Sequence, residues 1–223
     1  MSRAGLIRWW LRAVPEKGRN GEQAAGYCIS AQPGEWGCAL PESRRVIAPE
    51  ALLRGAVMHY LQHSNVDMEA LAAELSISRA TLYRAVGSRD ALLGEVLWAL
   101  ARLLLDEARA EARGAGADRV IQVSRVFEEL MSTAQQLRQF VAAEPQTAAR
   151  VLVTPATDLQ QRGVEAQLKI FREAGLTGDE EDLRRRAYLY VRLLGSVMYS
   201  DLLGVSGVEF ELAEPALRAL LPE

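Results

Sequence analysis

Apolar residues recur along most of the chain at three- and four-residue spacing, the repeat of an amphipathic helix. In "PEALLRGAVMHYLQH" (Pro49–His63), Leu52, Ala56 and Tyr60 form one row and Leu53, Val57 and Leu61 its neighbour. Pro49 suits the first turn, where its missing N–H leaves no bond unmade. Asp67 suits the N-cap of "MEALAAEL", with Leu71 and Leu75 inward and Ala72 small enough to admit another helix. After the short turn "SIS" (Ser76–Ser78), Ser78 caps "RATLYRAV", whose Leu82 and Val86 face inward and which Gly87 ends. Ser88 caps a long helix over Arg89–Arg113, which "GAGA" (Gly114–Ala117) breaks. The pattern predicts further helices over 118–143, after Pro145, over 155–174 up to Gly175, over 179–203 up to Gly204, and over 209–221. β-branched runs are scarce while Ala, Leu, Arg and Glu dominate, so the expected fold class is all-α.

Residues 1–45 interrupt this pattern. "EKGRNGEQAAG" and "AQPGEWGC" are polar and Gly-rich without sustained periodicity, and read as a disordered extension or as the product of a start codon set too far upstream. "GLIRWWLRAV" (Gly5–Val14) is too short and too charged for a signal-peptide core, and reads as an unstructured tail or a short amphipathic helix. No apolar run is long enough to span a bilayer, so no membrane partner is expected. Cys28 and Cys38 form neither a disulfide framework nor a zinc-site spacing, which suits a reducing cytoplasm. A net charge of −3 argues against nucleic-acid binding through overall charge.

Local charge changes that picture. "SISRATLYRAVGSRD" (Ser76–Asp90) places Arg79, Arg84 and Arg89 in a stretch without an acid before Asp90. Two short helices joined by a tight turn make a helix-turn-helix, whose second helix enters the DNA major groove. Arg79, Thr81, Tyr83 and Arg84 lie on the faces left by Leu82 and Val86, where they can donate to bases or phosphates. The helix N-termini at Ser78 and Ser88 add partial positive charge. Taken alone, three exposed arginines are more often a solvated face; the capped helix pair before them favours DNA.

"MEALAAELSISRATLYRAVGSRDALL" (Met68–Leu93) resembles the DNA-binding segment of TetR-family transcriptional regulators, through Leu71-Ala72, Ile77-Ser78, Thr81-Leu82-Tyr83, Ser88-Arg89-Asp90 and Leu92-Leu93. By matching position, the resemblance implies DNA contacts from Arg79, Thr81, Tyr83, Arg84 and Arg89. It implies a helix-turn-helix domain over 46–93 and a helical effector-binding and dimerisation domain over 94–223. Departures are Asp67 where the family often has a hydroxyl cap, Ser76 for the turn Gly, Ala80 for the Gly before Thr81, and Ala85-Val86 for the His-Phe pair. "RATLYRAVGSRDALLGEVLWALA" followed by "ADRV" is also similar to an actinobacterial subgroup that includes a repressor of quorum-signal lactone degradation, which implies a lactone or acyl-type effector.

The resemblance further implies a homodimer joined through the last two long helices, a double-stranded operator, and release by a small-molecule effector, with no cofactor. "AYLYVRLLGSVMYSDLLGV" (Ala187–Val205) is apolar on more than one face, as a helix buried in both its own core and a partner must be; a monomeric core is the alternative. Candidate effector contacts are Trp98, Phe127, Phe171, Tyr188, Arg192 and Tyr199, with Phe140 also considered, although aromatics at helical spacing are more often plain core. Arg192, inside an apolar run, can bind an anion, pair internally or reach solvent. His59 and His63 form H-x-x-x-H without the following Glu or a spaced third ligand, so no metal is expected. No nucleophile motif or carboxylate pair suggests an enzyme. The alternative to a regulator is a helical adaptor that has lost DNA binding, favoured by Asp67 and the absent His.

Overall fold

The computed structural model describes residues 47–205 and 207–221; the predicted N-terminal extension lies outside them. The described residues fold into α1 (Pro49–His63), α2 (Met68–Glu74), α3 (Arg79–Val86), α4 (Arg89–Glu111), α5 (Gly116–Ser132), α6 (Gln135–Ala143), α7 (Pro145–Val153), α8 (Leu159–Glu173), α9 (Glu180–Met198), a 3-10 turn (Ser200–Leu203) and α10 (Phe210–Ala219). No strand occurs among them, and no helix is long and apolar enough to cross a membrane.

The predicted caps form. The Asp67 carboxylate accepts from Glu69 N–H at 2.8 Å and Ala70 N–H at 3.0 Å. Ser78 and Ser88 accept from Thr81 N–H and Ala91 N–H at 3.1 and 3.0 Å. Each cap satisfies donors that a helix start otherwise leaves unpaired, for about 1 kcal/mol.

The helix predicted over 118–143 is instead two, α5 and α6. The Ser132 and Thr133 hydroxyls bond back to the Glu129 and Leu130 carbonyls, and Ala134 N–H closes on Met131, so the backbone turns there. Hydroxyls that compete for nearby carbonyls favour a break of this kind. The helix predicted from 155 starts at Leu159, because Thr154 and Thr157 hydroxyls take the Arg150 and Val151 carbonyls and hold 154–158 as a turn closing α7. That turn lies hard against α4: a Cβ on Gly94 would stand 2.9 Å from Thr157 Cβ, so the approach needs glycine.

Two apolar clusters organise the molecule. The first joins Val57, Tyr60, Leu71, Leu82 and Val96 to Phe140 and Val151, so α6 and α7 pack against α1–α4. The second joins Val120, Leu168, Phe171, Tyr190 and Leu217 of α5, α8, α9 and α10. Helix α4 feeds both, with Leu92 to Leu103 in the first and Ala108 in the second. Leu82, fully buried, pegs α3 to the first cluster; losing such a side chain costs roughly 2–5 kcal/mol, more than any single cap.

Candidate functional site

The turn between α2 and α3 decides how α3 is presented. Leu75 ends α2, Ser76 takes a left-handed φ of 55°, and Ile77 N–H returns to Ala72 O while Ser76 N–H reaches Ala73 O, each at 3.0 Å. This is a Schellman closure, which ordinarily uses glycine at the left-handed position. An identical closure follows α8, with Leu176 N–H on Phe171 O and Gly175 N–H on Arg172 O, and there glycine supplies the φ of 85°. The departure at Ser76 noted from the sequence is therefore a backbone cost in the α2–α3 turn.

Helix α3 turns Leu82 inward and leaves Arg79, Ala80, Tyr83 and Arg84 exposed on one side. Arg79 reaches Glu69 at 3.5 Å with both side chains largely exposed, a weak and screened pair. Arg84 Nε donates only to its own helix, to Ala80 O at 3.4 Å. Thr81 is half-buried and shares its hydroxyl with Ser78 at 2.9 Å. These four predicted contact residues are thus brought together, three of them open to solvent. Asp67 stands at the nearby start of α2 with its carboxyl held below the usual carboxylate range by the Ala70 and Glu69 amides.

Arg89 differs. Its Nε donates to Val66 O at 2.6 Å and its two terminal nitrogens grip Glu144 at 2.7 and 2.6 Å. The neighbouring Asp90 accepts from Arg150 Nε at 2.5 Å. Arg89 and Asp90 thus tie the start of α4 crosswise to the residue before α7 and to α7 itself. The guanidinium beside each acid holds the Glu144 and Asp90 carboxyls below the usual range. Sequence reasoning missed this clamp, since Glu144 is 55 residues from Arg89 and nothing local marks the pairing.

The histidine pair gains a third group. Glu74 lies 3.0 Å from His59 Nδ1 and 3.9 Å from His63 Nε2, so the three could surround a cation. Proton accounting favours a latch instead. His59 Nε2 accepts from Asp67 N–H at 3.3 Å, which leaves Nδ1 to carry the ring proton and give it to Glu74. A metal on Nδ1 would force Nε2–H against the Asp67 N–H.

Of the predicted effector contacts, Trp98, Phe127 and Tyr199 come together around one cavity of roughly 770 Å³, counting its mouth, between α4, α5, α8 and α9. A second, adjoining apolar space shares Ala101, Leu152, Leu159 and Tyr199 with it. Phe171, Tyr188 and Arg192 are not part of its wall. Phe171 is fully buried with its ring edge-on to Tyr190 at 5.8 Å, and so is core. Tyr188 points outward. Arg192 bridges Val153 O and Gln160 Oε1 at 3.1 and 2.8 Å on the exposed side of α9. Phe140 also belongs to the core, set edge-on to Tyr60. Sequence reasoning did not single out Gln167, which lines the cavity from α8.

The family model for "Tetracyclin repressor-like, C-terminal domain" matches residues 115–222. No curated protein sequence matches the chain significantly. Among solved structures, the R. erythropolis transcriptional repressor QsdR from the TetR family is similar at 26% identity and a TM-score of 0.73, over 78% of this chain and 93% of that one. With a capped α2–turn–α3 pair at one end and a domain that the Tetracyclin repressor-like C-terminal model matches at the other, the chain is similar in both layout and sequence to the TetR family of transcriptional regulators.

Proposed function

We propose that this regulator is a repressor that binds a pseudo-palindromic operator as a homodimer and leaves it when a small molecule fills the cavity. The observation that carries the reading is the outer face of α3, where Arg79, Tyr83 and Arg84 stand exposed on a helix fixed by Leu82 and Ser78. Thr81 adds a hydroxyl at the helix start, where backbone N–H groups also face a phosphate. Arg89 acts here as a positioning residue that sets the angle of the head on α7. The domains are 46–93 for reading DNA and 94–223 for effector binding and dimerisation.

Dimerisation is assigned to α8 and α9. Tyr188 and Leu189 of α9 are 52% and 51% exposed, on one stripe with Arg185, Arg192 and Ser196, an apolar centre with a polar rim. Helix α7 connects effector and head, because Leu152 lines the cavity while Arg150 holds Asp90. Release needs a ligand that prefers the conformer whose heads no longer match the operator; tight binding alone shifts nothing. The protein acts in the cytoplasm and without catalysis. The similarity to QsdR, a transcriptional repressor, supports the sign of regulation.

The test is a mobility shift of the purified chain on DNA from its own promoter region, with non-specific competitor at two salt concentrations. The expected result is a competitor-resistant complex that Arg84→Ala abolishes. If neither that DNA nor selection from a random library gives a selective complex, the adaptor reading takes its place.

A further inference from the structure

We infer that the cavity takes a neutral, mainly apolar molecule bearing a carbonyl-type hydrogen-bond acceptor, and that Gln167 Nε2 is the donor that holds this acceptor. The inference rests on the ligand-release reading above and names the chemistry of its ligand. Its first support is the wall, to which no charged side chain contributes among the described residues. The open groove on the other side of Trp98 and Leu105 is by contrast lined by Arg102, Asp106, Arg109 and Glu165. An anion entering the inner cavity would shed its water and meet no cation, a costly transfer.

The second support is which polar groups of the wall are already engaged. Ser124 Oγ bonds Val120 O at 3.1 Å and Tyr190 Oη at 2.8 Å. Gln160 gives its amide to Leu152 O and accepts from Arg192. Gln167 is only 5% exposed, and its Nε2 is buried without a hydrogen-bond partner. A buried amide donor in an apolar wall is normally satisfied, so one left open in a cavity marks a partner that is not part of the chain. Tyr199 borders the same space, and its hydroxyl makes no hydrogen bond among the described residues. Burial pushes its pKa up to about 12, so it stays a neutral phenol. One donor and one neutral hydroxyl in a greasy enclosure select a molecule that needs orienting at a single polar point.

The test uses the full chain at pH 7.5 and three probes of matched size: octan-2-one, its alkene isostere 2-methyl-1-octene, and octanoate. Affinities are read by ligand-observed NMR titration on wild type and on Gln167→Leu. The expected result is that the ketone binds wild type roughly tenfold more tightly than the alkene, the scale of one hydrogen bond, with octanoate weaker still. Gln167→Leu removes the ketone's advantage and leaves the alkene unchanged. In the ligand-free state that variant also melts no lower than wild type, since it deletes an unpartnered donor. Equal binding of ketone and alkene to wild type, tighter binding of octanoate, or a ketone advantage that survives Gln167→Leu would each overturn the inference while leaving the cavity as a ligand site. Failure of all three probes to bind wild type would overturn the ligand-release reading itself.

Discussion

The outer face of α3 and the foot of α4 adjoin in sequence and carry the same residue type, yet their arginines do different things. Arg79 and Arg84 have weak, exposed or purely local contacts. Arg89 has all three nitrogens engaged at 2.6–2.7 Å with Val66 and Glu144. Acids decide the difference: Glu144, just before α7, grips Arg89 at the foot of α4, while the acid paired with an α3 arginine among the described residues is Glu69, at 3.5 Å. A cation whose charge is answered inside the molecule positions; one whose charge is left open recruits an anion from outside.

The largest effect expected from this contrast is on DNA. Arg79→Ala with Arg84→Ala should lower operator affinity at least about 100-fold, at roughly 1–3 kcal/mol per lost contact, with little change in melting temperature. Fluorescence anisotropy and a thermal melt of the same samples would check it; a large drop in melting temperature would mean these arginines hold the fold together. Glu144→Gln should do the reverse and act first on stability. Breaking a half-buried, two-pronged pair should cost about 2 kcal/mol. Glu144 is depressed in the folded state, so its contribution is full above the ordinary carboxylate range and fades as pH falls through its lowered value. The melting-temperature gap between wild type and Glu144→Gln should therefore be constant above about pH 5 and close below it. A smaller gain of up to about 1 kcal/mol is expected for Ser76→Gly, because glycine adopts that left-handed φ without strain; urea titration reads it. Least of all, Asp67→Ser should keep the cap and remove a carboxylate near the side proposed to face DNA. It should raise operator affinity about threefold at low salt, less at high salt.

Local chemistry was legible in the sequence. Asp67, Ser78 and Ser88 announce helix starts because a cap bonds residues only two or three positions ahead. Leu71, Ala72 and Leu82 announce the inner face because helical spacing fixes it, and all three are buried. Pairings across long separations were not legible. Arg89 matches the family's DNA-contact position, and nothing near it predicts Glu144. Trp98, Phe127, Phe171 and Tyr199 look alike as aromatics at helical spacing, and only the way α4, α5, α8 and α9 cross puts three at the cavity and Phe171 in the core. The break at Thr133 was missed because apolar spacing continues through it, while the hydroxyl-to-carbonyl bonds that turn the backbone leave no trace in that spacing.

The partnership of Tyr60 with α6 has a consequence for how the chain is made. Its ring meets Phe140 edge-on at 6.1 Å and its hydroxyl reaches Gln136 O at 3.5 Å, in a cluster that also takes in Val151 and Leu152. During synthesis α2 and α3 emerge early, but the apolar floor beneath them is complete only after residue 152 has left the ribosome. A fragment ending at residue 93 would open part of that floor to water, so the smallest unit that folds cooperatively around α3 extends well past the helix pair itself.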